Sequence, residues 1–294
     1  MHHEPQRWKH DYDRDGFLVV ENLLDAETLK QLRLGIEKIT ADPDALDPGL
    51  RRHVQLERDY VRSTPKYNDL TVQEVGNAVR NIMELPKFDP VFAELICFEP
   101  LLVVLEALFD SPEFHFHNYK CIIKAPKVSS AFRWHRDLPY LEHSTPNLIT
   151  AMLCLDPMTR ENGATVVLPG SHRIPHDQVT ADDRDISETS LSPDARRVTV
   201  VCPAGSAVLF HVNLIHGGGP NRSEIPRRNV IGIWAGPETY PVTAARYVYQ
   251  DLYPRSRNPA RQRQVRMTFP RLFGQTTKKA AVSQQETSPQ PAEA

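Results

Sequence analysis

The chain has 294 residues, enough for one large domain or two small ones. Its 40% hydrophobic and 24% charged residues are ordinary for a globular protein, and a net charge of -2 indicates neither a nucleic-acid nor a membrane partner. No apolar run approaches the ~18–20 residues of a membrane span, and the N-terminus has no apolar stretch of signal-peptide type. Four cysteines without a C-x-x-C pair favour a reducing compartment, so we predict a cytoplasmic protein.

The first third of the chain is predicted to be mainly helical. Phe17–Val20 predicts a short strand, and Asp25 is placed to cap a helix whose apolar residues recur at helical spacing. Further helical patterns cover residues 72–85 and 90–109, with Pro100 expected to break the second.

Beyond Pro112 the pattern changes to short apolar runs separated by glycine and proline turns. The predicted strands cover residues 114–124, 148–155, 165–168, 197–202, 207–210 and 229–234. This rhythm is typical of an antiparallel sandwich or barrel. We therefore predict a single domain over residues 1–274. Its helical part covers about 23–110, its β core about 111–240 and its C-terminal extension 241–274. Residues 275–294, poor in apolar side chains, are predicted to be a disordered tail.

The segment Trp134-His135-Arg136-Asp137 contains two potential metal ligands. In an extended chain residues i and i+2 point the same way, so His135 and Asp137 would present an imidazole and a carboxylate to one point. These are two of the three ligands of a 2-His-1-carboxylate triad, which binds Fe(II) and leaves open positions. An H-x-D pair alone arises often by chance.

A third ligand is predicted at His216. An apolar strand delivers this histidine to three glycines, where the backbone can approach a bound group closely. His211 is the competing histidine in the segment, and the glycines directly after His216 favour His216.

Arg227 begins the next apolar run, 11 positions after His216. A hairpin would bring it beside the metal end of the preceding strand, where a guanidinium can clamp a carboxylate with two parallel hydrogen bonds. The alternative is that Arg227 and Arg228 are ordinary surface arginines.

The order H-x-D, then several strands, then H and R at +11 resembles the phytanoyl-CoA dioxygenase family of Fe(II)/2-oxoglutarate oxygenases. Three segments are similar to segments of that family, namely DGFLVV at 15–20, VLPGSH at 167–172 and HGGGPNRSEIPRR at 216–228. The resemblance spans about residues 11–240. It implies a mainly β fold with flanking helices, whose core is a double-stranded β-helix, a jelly-roll of the cupin type.

The resemblance also implies a cofactor and co-substrates. Fe(II) would be held by His135, Asp137 and His216, with 2-oxoglutarate and O2 as co-substrates and the 5-carboxylate of 2-oxoglutarate on Arg227. Further co-substrate contacts are expected at Asn118, Lys120 and Thr150. Gly218 stands where several relatives carry Ser, which removes one possible partner of that carboxylate.

The reaction implied is hydroxylation, or another oxidation, of an unactivated C–H bond of a small molecule, as in natural product biosynthesis, with succinate and CO2 as co-products. Desaturation and epoxidation belong to the same chemistry, and Asp137 argues against halogenation, because related halogenases lack this carboxylate. The rivals are a non-catalytic cupin-type binding protein and a metal-dependent isomerase or hydrolase.

The substrate pocket is expected to involve residues 41–67, 129–132, 138–146 and 240–253. The first of these is either a loop folded over the site or a solvated connection. It carries a basic and aromatic cluster that either receives an anionic substrate or is a solvated face: Arg51, Arg52, Arg58, Tyr60, Arg62 and Tyr67.

Overall fold

A computed structural model of the chain describes residues 4–64, 70–244 and 246–273, so Tyr67 and the predicted tail lie outside the described residues. The helices are α1 (Glu4–Asp15), α2 (Ala26–Ala41), α3 (Pro48–Arg51), α4 (Glu57–Ser63), α5 (Val72–Val75), α6 (Pro90–Glu94), α7 (Glu99–Phe109), α8 (Leu138–Leu141) and α9 (Pro259–Thr268). Among the described residues no helix is long and apolar enough to cross a membrane.

The strands form two antiparallel sheets. They are β1 (Phe17–Val20), β2 (Val54–Leu56), β3 (Val79–Ile82), β4 (His115–Lys124), β5 (Phe132–His135), β6 (Leu148–Cys154), β7 (Thr165–Val167), β8 (Val198–Thr199), β9 (Ala207–His211), β10 (His216–Gly218) and β11 (Arg227–Ala235). The larger sheet has the order β1-β9-β6-β11-β4-β3-β2, and the smaller has the order β5-β10-β7-β8. The predicted mainly β architecture with flanking helices is confirmed.

The larger sheet is covered on both faces, which explains its apolar strands. Strand β6 is buried at every position. On one face Ile149 and Leu153 belong to a core shared with the helices, while Met152 on the other face packs between the two sheets. Alternate side chains point to opposite faces of a strand, so both faces of β6 must be apolar.

Helix α2 begins where the sequence predicted. The side chain of Asp25 accepts a hydrogen bond from the amide of Thr28 at 2.8 Å, an N-cap that contributes about 1 kcal/mol. Leu32 and Ile36 of α2 are fully buried in the core between helices and sheet. The predicted strand at Phe17–Val20 is confirmed as β1.

Two predictions of helices were wrong in part. The helix expected over residues 72–85 stops at Val75, because Gly76 adopts a φ of +52° and the following residues pair as β3 with β2 and β4. The second helical region is divided into two helices, as predicted, but the interruption is a 3-10 turn at Leu95–Cys97 and does not lie at Pro100. Pro100 lies in the first turn of α7, where no partner for its missing N–H is needed. Helix α1 was not predicted.

Candidate active site

Two histidines meet where the ends of neighbouring strands pair. His135 is the last residue of β5 and His216 the first of β10, and the two are direct partners in the antiparallel register. Their ring centroids are 4.2 Å apart. His216 therefore opens a short strand that contains two of the three glycines, and the prediction that it ends an apolar strand was wrong.

Asp137 reaches the same point by a different route from the one predicted. Its backbone is helical, with φ -76° and ψ -33°, so the argument from an extended H-x-D segment was wrong. The chain turns directly after β5, and the turn is fixed by the amide of Asp137, which donates to the carbonyl of Val212 at 2.8 Å. The carboxylate oxygen Oδ1 lies 3.8 Å from Nε2 of His135 and 3.9 Å from Nε2 of His216.

Hydrogen bonds turn the donor atoms of all three side chains inward. Nδ1 of His135 donates to the carbonyl of Arg133 at 2.8 Å, and Nδ1 of His216 donates to that of Leu214 at 3.0 Å, which leaves each Nε2 lone pair free. Thr150 donates its hydroxyl to Oδ2 of Asp137 at 2.7 Å, so Oδ1 is the oxygen that faces the histidines.

The three donors suit a transition-metal ion. Cis ligands with bonds of about 2.1 Å are about 3 Å apart, so contraction of about 1 Å brings the measured 3.8 and 3.9 Å to that value. Burial lowers the pKa of His135 to about 3, with His216 adding to the shift, and the neutral imidazole is the metal-binding form. Burial opposes ionisation of Asp137, yet His216 and Lys120 hold its pKa below the ordinary value. Within the described ranges no other group of three such side chains occurs.

An inner cavity of about 70 Å³ extends from the triad into the space between the sheets, and Arg227 lies on its wall. The guanidinium is buried and donates to the carbonyl of Gly163, while its Nε has no partner. Burial lowers the pKa of Arg227 to about 10. Arg228, one residue on, points to the other face and pairs with Asp156 at 2.8 Å.

The expected hairpin between the strands of His216 and Arg227 was wrong. β10 belongs to the smaller sheet, whereas β11 pairs with β4 and β6 in the larger one. Arg227 therefore faces the inner cavity from the opposite layer of the sandwich. The 11 positions between His216 and Arg227 include the connection by which the chain passes from the smaller sheet to the larger one.

Lys124 is a second buried cation in the inner cavity, and it was not predicted. It is the direct partner of Arg227 in the β4–β11 register, and its exposed fraction is 0%. Its ammonium donates to the carbonyls of Gly218, at 3.3 Å, and Gly219. Burial first, and Arg227 second, lower its pKa. Among the described residues neither cation forms a salt bridge, so this end of the cavity lacks a counter-charge.

The signal for Lys124 was present in the strand alternation that marked Asn118 and Lys120, because residues 118, 120, 122 and 124 share one face of β4. The position of Gly218 also indicates that Lys124 belongs to the co-substrate site. A Cβ at this position would lie 3.6 Å from the ammonium of Lys124. The place of the hydroxyl that Gly218 lacks is therefore next to Lys124.

The three other predicted co-substrate contacts are spread over the site. Thr150 lines the inner cavity with its hydroxyl on Asp137. Lys120 lies between the inner cavity and a second, outer cavity of about 440 Å³. Asn118 lines only the outer cavity and is not brought together with Arg227.

The outer cavity draws on all four segments expected to form a substrate pocket. Segment 41–67 contributes Gln55 and Tyr60, and segment 129–132 contributes Phe132. Segment 138–146 contributes Tyr140 and Leu141, and segment 240–253 contributes Tyr247. Of the described members of the predicted basic and aromatic cluster, only Tyr60 lines it. Its cations are Arg80, Lys120, Arg133 and Arg184. The position of α4, which carries Tyr60, favours the view that this segment folds over the site.

Two packed antiparallel sheets with a His-Asp-His cluster at one end and buried cations behind it define a non-haem iron oxygenase of the double-stranded β-helix type. A sequence model of the family Phytanoyl-CoA dioxygenase (PhyH) matches residues 12–229, and the chain belongs to this family.

Named relatives agree with this assignment. The ectoine dioxygenase of Sphingopyxis alaskensis is 28% identical over 243 residues, 76% of this chain and 73% of the relative. The peroxisomal phytanoyl-CoA dioxygenase of Mus musculus is 29% identical over 229 residues, 72% of this chain and 63% of the relative.

Solved structures have the same fold. EctD from S. alaskensis with 2-oxoglutarate and 5-hydroxyectoine has a TM-score of 0.62 at 25% identity, covering 78% of this chain and 75% of that one. The α-ketoglutarate-dependent epimerase SnoN has a TM-score of 0.63 at 19% identity, covering 82% and 87%. The predicted double-stranded β-helix core and the enzyme class, a 2-oxoglutarate-dependent non-haem iron dioxygenase, are confirmed.

Proposed function

We propose that this enzyme hydroxylates, or otherwise oxidises, an unactivated C–H bond of a small molecule and converts 2-oxoglutarate to succinate and CO2. The observation that carries the proposal is the inner cavity. Its lining includes the three metal-ligand candidates His135, Asp137 and His216 and the two buried basic residues Lys124 and Arg227. Fe(II) is the cofactor, and when bound it supplies the centre at which O2 oxidises 2-oxoglutarate and the substrate.

The triad residues would hold the metal, and hydrogen bonds fix the orientation of their donor atoms. The Nδ1 hydrogen bonds of His135 and His216 fix each ring in the tautomer with a free Nε2. Thr150 keeps one carboxylate oxygen of Asp137 occupied, so that the other serves as a single ligand atom. His135, Asp137 and His216 would hold the metal as three protein ligands, and the metal would supply further positions for 2-oxoglutarate and O2.

Arg227 and Lys124 bind the far carboxylate of 2-oxoglutarate. Each is buried, positively charged and satisfied on its cavity side only by carbonyl groups. A carboxylate between them replaces like-charge repulsion with two charge-assisted contacts in a poorly solvated space. In this arrangement Arg227 keeps the role implied by the family resemblance, and Lys124 replaces the hydroxyl that several relatives carry at the position of Gly218.

The outer cavity positions the substrate. It meets the inner cavity at five shared residues, which include His135 and Asp137, so a molecule in it is next to the metal ligands. The presence of Asp137 supports oxygenation over halogenation, since a halogenase needs that position for chloride. Desaturation and epoxidation are alternative outcomes of the same chemistry, and the way the outer cavity holds the substrate would decide among them.

The experiment is a titration of 2-oxoglutarate into Fe(II)-loaded protein without oxygen, followed by succinate formation in air with a metabolite panel. We expect Arg227→Met to weaken 2-oxoglutarate binding about 10- to 100-fold, because a buried charged hydrogen-bond donor is lost. Arg222→Met, an exposed arginine five positions earlier, is the matched control. Binding of 2-oxoglutarate that needs neither the metal nor Arg227 would contradict the proposal and favour a binding protein.

A further inference from the structure

The outer cavity has a positively charged wall. Four cations line it, and the one carboxylate on its surface is the metal-ligand candidate Asp137. The acids that neutralise the arginines lie behind the lining. Arg80 pairs with Glu57 at 3.0 Å and Arg184 pairs with Glu142 at 2.9 Å.

Arg133 is paired in the same manner, with Asp185. Its charge and those of Arg80 and Arg184 are thus matched by acids whose carboxylates do not face the cavity. Each of the three arginines therefore already has a carboxylate partner in the protein. To form an ion pair with a ligand, it would have to give up that partner.

Lys120 differs from these arginines. It is half-buried, and among the described residues its ammonium has no salt bridge and no hydrogen bond. Its charge acts on the triad, since it contributes to the lowered pKa values of both His135 and Asp137. A cation held in a cavity at the edge of the metal site, with no hydrogen bond or salt bridge among the described residues, can bind an anion from outside.

Lys120 and the co-substrate site lie at different positions along strand β4. Lys120 and Lys124 lie on one face of the strand four residues apart, which is about 13 Å along β4. Lys124 lies beside Arg227 in the inner cavity only, whereas Lys120 lies at the junction with the outer cavity. One strand therefore carries two cations, one toward each end of the space around the triad.

We propose that the substrate is a small organic anion, a carboxylate or a phosphate ester, whose charged group binds Lys120 while its carbon body lies in the outer cavity. This inference rests on the proposed function and replaces the expectation that Lys120 contacts 2-oxoglutarate. Tyr140 and Tyr247 provide aromatic walls for the body; the ring of Tyr140 lies 5.8 Å from that of His135. The anion on Lys120 sets which carbon of the substrate comes nearest the metal.

The test uses a panel of small carboxylic acids, each paired with its primary amide, and of phosphate monoesters, each paired with the parent alcohol. Succinate formation from 2-oxoglutarate is measured with the Fe(II)-loaded full chain. We expect stimulation by acids or by phosphate esters, with the neutral counterparts at least 10-fold weaker. The two arms of the panel distinguish a carboxylate from a phosphate substrate.

Variants of Lys120 complete the test. Lys120→Met should raise the concentration of the stimulating anion needed for half-maximal effect about 10- to 100-fold, and Lys120→Arg should restore most of it. Lys38→Met makes the same change on an exposed helix position and should match the parent protein. If Lys120→Met does not fold, Lys120→Gln gives the same comparison, with circular dichroism as the check.

The outcomes separate the two proposals. Equal stimulation by neutral and anionic partners, no stimulation by any anion, or an unchanged half-maximal concentration in Lys120→Met would overturn the anion site. Failure of the Fe(II)-loaded parent protein to bind 2-oxoglutarate in the oxygen-free titration would instead overturn the proposed function.

Discussion

Replacement of Lys124 by methionine should stabilise the ligand-free protein and weaken its response to 2-oxoglutarate. Lys124 and Arg227 are cross-strand partners, whose Cβ atoms are about 5 Å apart in such ladders. Two like charges at about 5–8 Å with an effective dielectric constant of about 20 repel by about 2–3 kcal/mol. Methionine has a similar length and no charge, so Lys124→Met removes this repulsion and the cost of burying the ammonium.

The gain is reduced by the hydrogen bonds that Lys124 gives to the carbonyls of Gly218 and Gly219, each worth about 0.5–1.5 kcal/mol. We therefore expect the free energy of unfolding to rise by about 1 kcal/mol, which is a gain of about 2–4 °C in Tm. With Fe(II) and 2-oxoglutarate present, the order should reverse, because the parent protein binds the carboxylate more tightly and gains more stability from it.

The effect should also depend on pH. The pKa of Lys124 is lowered from 10.5 on folding, so the unfolded chain binds more protons and the stability of the parent protein rises as pH increases toward about 10.5. Lys124→Met should lose this contribution to the slope. Thermal unfolding of both proteins, with Lys38→Met as the exposed control, measures each effect. A variant that is less stable without 2-oxoglutarate, yet equally stabilised by it, would refute the reasoning.

Two further substitutions test the supports of the site. Thr150→Val removes the hydroxyl that holds Asp137, and we expect Fe(II) affinity in an anaerobic metal titration to fall about 10- to 100-fold while the fold is retained. Glu57→Gln leaves the buried guanidinium of Arg80 without its counter-charge, and we expect urea denaturation to show a loss of about 3 kcal/mol or more.

Each of these has a matched control. Thr150→Ser keeps a hydroxyl at the same place and should retain metal affinity; an equal loss in both variants would mean that packing of the methyl group matters instead. For the buried ion pair, Glu224→Gln removes an exposed acid partnered by Lys127 and should change stability by less than about 0.5 kcal/mol. A similarly small effect of Glu57→Gln would show that Arg80 is stabilised chiefly by its contacts with the aromatic rings of Tyr60 and Phe132.

The contacts of Arg80 with two aromatic rings explain why α4 is important for the site, although the arginines of α4 do not line the outer cavity. The guanidinium of Arg80 lies 3.7 Å from the ring centroid of Tyr60 and 4.1 Å from that of Phe132. Glu57 also accepts from the amide of Ser130 at 2.7 Å. Residues 57–60 are thus held against the strand that ends in His135, which was not visible in a segment that reads as charged and irregular.

Much of the architecture follows from local patterns in the sequence. The long strands β4, β6 and β11 were predicted because each contains a run rich in apolar residues that turn residues separate from the next, and α2 was predicted because Asp25 caps it and its apolar residues recur at helical spacing. The short strands β5 and β10 were missed. They contain only four and three residues, and they are stabilised by pairing with each other and, for β10, with β7.

The sequence by itself determined which groups are available to the site: two imidazoles, a carboxylate and an arginine in the order of a known family. Only the tertiary structure decided how they meet. Asp137 turns inward because its amide bonds the distant carbonyl of Val212, and Arg227 faces the triad because β11 and β10 lie in different sheets. Lys124 joins Arg227 through strand register. Such contacts link residues far apart in the chain, and no local periodicity encodes them.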